Sequence, residues 1–74
     1  MLIVSENEKG FINFDKILAI VTVKADDRFK LVAVALDGLH EIEIGEFDST
    51  DQSKRVIQEI INNYCEGKKV FYVP

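Results

Sequence analysis

The chain has 74 residues, 9 Lys and Arg against 13 Asp and Glu for a formal charge of −4, and a hydrophobic content of 47%. That apolar fraction excludes an intrinsically disordered chain, and scattered cations on a net acidic chain lack the basic footprint through which phosphate neutralisation drives binding to DNA or RNA. A single cysteine excludes an intramolecular disulfide and a multi-thiolate zinc site, and a core of this size yields only about 3–5 kcal/mol of net stability, so an efficient core or a second subunit is needed.

The opening Met1-Leu2-Ile3-Val4, followed by Ser5-Glu6-Asn7-Glu8, has no cationic leader or long apolar stretch of the signal-peptide kind. The reading is a cytoplasmic protein. Leu2-Ile3-Val4, the turn Asn7-Glu8-Lys9-Gly10 and the run Phe11-Ile12-Asn13-Phe14 predict an opening hairpin. Residues 17–24 are dominated by β-branched side chains, which suit a pleated strand; their uncharged run, 17–23, is far short of the roughly 20 residues of a membrane helix. After the polar break 25–28, residues 29–36 predict a further strand. Asp37-Gly38 is the strongest turn signal, because glycine supplies the positive φ of a tight reversal. Residues 39–44 alternate with period two, Glu41 and Glu43 opposite His40, Ile42 and Ile44.

From Ser49 the period changes. Ser49 and Gln52 match a capping box, and Val56, Ile57, Ile60, Ile61 and Tyr64 recur as one apolar stripe of a four-turn helix that Gly67 stops. Residues 70–73 form a closing strand. The expected fold is α+β, a single domain over 1–74: an antiparallel meander of five or six strands with one C-terminal amphipathic helix packed on one face, in the order βββββαβ.

One helix covers one face of such a sheet, so apolar side chains on the other face are candidates for an interface. The parity of the hairpin at Asp37-Gly38 decides which ones. An odd-numbered loop places Glu41 and Glu43 beside Leu31, Ala33, Ala35 and Phe29; a two-residue loop places them beside Val32, Val34 and Leu36. Leu18, Ile20, Phe29, Leu31, Ala33 and Ala35 are taken as the candidate interface. Asp37, Glu41, Glu43, Glu46 and Asp48 form a candidate acidic face, with no compensating cation nearby in sequence. Residues 1–48 carry −5 and residues 49–74 carry +1, a modest asymmetry. The spacing of these acids fits no calcium loop.

Candidate chemistry is sparse. Cys65 falls at the helix C-terminus, where the dipole disfavours a thiolate, and its spacing from Ile61 predicts packing at the edge of the stripe. His40 alternates away from Glu41 and Glu43, so no acid–base dyad follows. No phosphate loop, metal-ligand spacing or nucleophile elbow is present, and no catalytic residue, metal or cofactor is expected.

Leu2-Ile3-Val4-Ser5, Ile12-Asn13-Phe14-Asp15, Gly45-Glu46-Phe47-Asp48-Ser49 and the helix end Tyr64-Cys65-Glu66-Gly67 resemble small uncharacterised α+β proteins of Gram-positive bacteria and their phages or mobile elements. The resemblance implies a bacterial or phage cytosolic protein and carries no activity or site residue. The expectation is a non-enzymatic protein–protein interaction module, homodimeric or bound to another protein through the uncovered sheet face or an edge strand. Two alternatives stand beside it: a phage-type inhibitor presenting the acidic hairpin 37–48 to a basic surface, and a small ligand-binding or hydrolytic domain assembled across a dimer.

Overall fold

A computed structural model describes residues 1–74. The elements are β1 (Leu2–Val4), β2 (Phe11–Asn13), a 3-10 turn (Phe14–Lys16), β3 (Ile17–Ala25), β4 (Arg28–Ala35), β5 (Glu41–Phe47), α1 (Thr50–Cys65) and β6 (Val70–Tyr72). The α+β class and the element order follow the sequence reading. The single meander does not: the strands form two three-stranded sheets, β2-β1-β6 and β3-β4-β5. β1 pairs antiparallel with β2 and parallel with β6, so the strand after the helix returns beside the first one in the chain. Three-residue strands carry too little pattern to declare a partner, and this pairing spans almost the whole sequence.

The β3-β4-β5 meander contains two register shifts, one between Ile17 and Ala19 and one where Ile44 has no counterpart across the Leu31–Val32 step of β4. A β-bulge of this kind puts two residues against one and switches the side-chain parity along the strand. Consequently Ile44 and Phe47, at even and odd positions, both reach the core, and Ile17 and Ile20 both pack against it. The alternation legible in the sequence stops at Ile44. Gly45 is instead inside β5, with room for no side chain: a Cβ there would lie 3.0 Å from both the Phe47 ring and Val73 Cγ1.

The core joins the three layers. Ile3, Ile12 and Phe71 from the small sheet, Leu31, Ala33, Ile44 and Phe47 from the meander, Val56 and Ile60 from α1, and Val73 form one buried cluster. Helix α1 starts where Ser49 Oγ accepts the Gln52 N–H at 3.2 Å, while Gln52 Oε1 accepts the Asp48 N–H at 2.9 Å. The return arm of the expected capping box therefore lands one residue earlier than usual. The helix ends in a Schellman turn, with Gly67 at φ 76°, Gly67 N–H donating to the Tyr64 carbonyl and Lys68 N–H to that of Asn63.

The apolar stripe is rotated from its expected centre. Ser53, Val56 and Ile60 point inward, Ile57 is half-buried, and Ile61 and Tyr64 are 46% and 49% exposed. Ser53 is fully buried and its hydroxyl is satisfied by Thr22 Oγ1 of β3, 2.5 Å away. This bond fixes the helix over the meander.

We predict that Gly45→Ala destabilises the fold by about 1–3 kcal/mol, since Phe47 and Val73 are both buried and have little room to yield. An unchanged denaturant midpoint would show that the core gives way there. Thr22→Val should cost about 1–3 kcal/mol by orphaning the Ser53 hydroxyl. In a double-mutant cycle, Thr22→Val combined with Ser53→Ala should cost less than the sum of the two single changes.

Candidate functional site

The hairpin between β4 and β5 resolves the parity. Ala35 N–H donates to the His40 carbonyl at 2.8 Å, closing a four-residue loop, Leu36 to Leu39, with Gly38 at φ 73°. An even-numbered loop puts Glu41 opposite Val34 and Glu43 opposite Val32. The face away from α1 thus carries Val21, Val23, Val32 and Val34 together with Lys30, Glu41 and Glu43.

This corrects the candidate interface. Leu31 and Ala33 are fully buried in the core, and Ile20 packs against it. Phe29 and Ala35 share their face and are half-buried. Leu18 is 62% exposed and remains available.

The acidic face is also corrected. Its acids find cations on the neighbouring strand: Lys30 Nζ lies 3.2 Å from Glu43 Oε1, and Arg28 reaches both Glu46, at 2.7 Å, and Asp48. Asp37 binds the His40 ring. Only Glu41 of the five has no such partner. Residues thirteen to twenty apart in sequence meet here, which is why the cluster reads as uncompensated in one dimension. No group of three His, Cys, Asp or Glu side chains is arranged to hold a metal ion.

The most distinctive surface lies beside β3. Phe14, Ile17, Leu18, Ala19 and Ile20 face Ile57, Ile60 and Ile61 of α1 across an open groove of about 300 Å³ whose lining is entirely hydrophobic. Tyr64 extends it, its ring 5.0 Å from that of Phe14. β3 itself is an edge strand of nine residues, and every backbone hydrogen bond it makes is to β4. The opposite edge of this sheet is capped over its C-terminal half. Glu6 N–H donates to the Ile44 carbonyl at 2.9 Å, and the Glu6 carboxylate accepts the Glu46 N–H at 3.2 Å. No protein-family model matches this chain, and neither the curated proteins nor the solved structures contain a match to it.

Sequence reasoning missed a second apolar surface. On the outer face of the small sheet, Val4 lies between Phe11 and Tyr72 in one row, and Leu2 is beside Val70 in the next. Phe11 and Tyr72 are 67% and 63% exposed. The alternation of 70–73 held the signal, but only the parallel pairing with β1 aligns these side chains. Cys65 is exposed rather than packed at the stripe's edge, because the rotation of α1 turns that edge outward. Nothing in the structure gives it a base or a cation.

At the hairpin tip, Asp37 Oδ1 accepts the N–H groups of Leu39 and His40, and Oδ2 meets His40 Nδ1. The Leu39 N–H, then the His40 ring, then the His40 N–H hold the Asp37 carboxyl below its ordinary value of 3.8. A depressed carboxyl contributes stability that is present above its unfolded value and is lost as pH falls through the lower folded value. We predict that Asp37→Ala lowers the melting temperature at neutral pH, and that the difference from wild type closes once the medium is acid enough to protonate Asp37. A gap that stays constant to strongly acid pH would contradict this.

Proposed function

We propose that this chain is a non-enzymatic protein-interaction module whose docking surface is the free edge of β3 with the apolar groove beside it. The observation that carries this reading is the free outer edge of a nine-residue strand lying beside a groove lined by eight hydrophobic side chains. An added strand satisfies the outward N–H and C=O groups of an edge, and side-chain pockets beside that edge supply specificity. Long apolar edges are normally blunted, because they template aggregation. Here the blunting is confined to the bulge at Leu18 and the charge of Lys24.

A groove without a titratable group favours docking over proton transfer. The acidic hairpin supports the inhibitor reading less well, since four of its five acids already have partners within the chain. A bacterial or phage cytosol is the setting we propose. No helix is long and apolar enough to cross a membrane, and the one thiol is unpaired.

Binding of an environment-sensitive hydrophobic dye tests the location. Leu18→Glu with Ile61→Glu should remove most of the fluorescence enhancement while the circular dichroism spectrum stays native. Loss with Phe11→Ser and Tyr72→Ser instead would move the docking surface to the small sheet. Absence of dye binding by the wild-type chain would overturn the reading.

A further inference from the structure

We propose that the occupant of the β3 edge is a second copy of this chain, paired antiparallel through β3 about a two-fold axis at Val21, so that the two meanders join into one six-stranded sheet. This inference rests on the docking surface proposed above. Three observations select a second copy over an unrelated strand.

The first is charge. Lys16 immediately precedes β3, and Asp26 and Asp27 form the turn that follows it. None of these three makes an ion pair within the chain, whereas Asp15 is within 3.5 Å of the N-terminal amine and Arg28 is engaged by Glu46 and Asp48. Lys16 stands at the start of the strand, and Lys24 followed by Asp26 and Asp27 stands at its end, with no charge between Ile17 and Val23. Antiparallel self-pairing centred on Val21 sets Lys16 of each copy against Asp26 of the other, twice. A parallel arrangement would set like ends together.

The second is the distribution of apolar exposure. A two-fold axis normal to the sheet keeps both helices on the same face, so the two grooves, with Leu18 and Ile61 at their open sides, face one another across the axis. On the opposite face Val21 meets its own copy and Ala19 meets Val23. Val21 and Val23 are 38% and 41% exposed in the single chain, although they adjoin the buried Val32 stripe. Ala19 to Val23 is the regular, uncharged stretch that would pair.

The third is closure. Glu6 caps the β5 edge at Ile44 and Glu46, so joining two β3 strands leaves only the short Glu41–Glu43 stretch of that edge free in the combined sheet. Isologous pairing therefore ends at a dimer, whereas β5-to-β3 contacts would propagate into a filament.

Sedimentation equilibrium of the full chain at micromolar concentration should give twice the chain mass of 8.4 kDa. Val21→Lys places two like charges on the axis and should give a monomer with an unchanged circular dichroism spectrum. Lys16→Glu should weaken the dimer on the order of tenfold at low ionic strength, and Lys16→Glu with Asp26→Lys should restore it. A dimer indifferent to Val21→Lys and to Lys16→Glu would overturn the proposal, since its interface would lie elsewhere. A wild-type monomer whose dye binding is lost with Leu18→Glu and Ile61→Glu would overturn the self-pairing while leaving the docking surface in place. A monomer that binds no dye would remove both.

Discussion

A β-strand turns successive side chains to opposite faces, and the architecture of this protein depends on two places where that alternation is broken. A single helix and a three-stranded sheet are all that cover the inner face of the meander, so each strand must contribute as many large side chains as it can. The bulge in β5 lets Ile44 and Phe47 both turn inward, and the shift at Leu18 does the same for Ile17 and Ile20. In a regular strand one member of each pair would face solvent. Gly45 is the residue that makes the first shift compatible with close packing, because Phe47 folds over the position a side chain would occupy.

The polar interactions that matter most are those that fix layers relative to one another. The Ser53–Thr22 hydrogen bond crosses from helix to sheet and its serine is fully buried, so loss of Thr22 as partner leaves a desolvated Ser53 hydroxyl. Glu6 plays a comparable part at the other end of the meander. Its backbone and carboxylate both bond to β5, linking the small sheet to the meander and covering an edge at the same time. By contrast the ion pairs of Arg28 and Lys30 lie at the surface, where exposed pairs contribute little to stability. They pair most of the charge of the hairpin within the chain.

What distinguishes the surface is an imbalance between its edges. The small sheet has edges of only three residues, and β5 is capped by Glu6 at Ile44 and Glu46, while the outer edge of the nine-residue β3 is free beside an apolar groove. Rotation of α1 about its axis creates this groove. By turning Ser53 inward to meet Thr22, the helix leaves Ile61 and Tyr64 at the border with β3 rather than in the core. Interior packing and surface character thus meet at the same hydrogen bond.

Local chemistry was legible in the amino-acid sequence. The capping serine and the glycine stop defined α1, β-branched runs marked β3 and β4, Asp37-Gly38 marked the hairpin, and the separation of Glu41 and Glu43 from Ile44 survives in the structure. These features depend on residues within a few positions of each other. Hairpin parity, the two bulges, the rotation of α1, the cations that answer the acidic hairpin and the return of β6 beside β1 depend on contacts between distant segments. Those contacts transferred Leu31 and Ala33 from a candidate interface into the core and left Leu18 outside. By itself the sequence determined the elements and an excess of apolar side chains over what one helix can cover. Tertiary structure decided which of them stay exposed, because side-chain alternation makes the orientation of a whole strand hinge on single residues of loop and register.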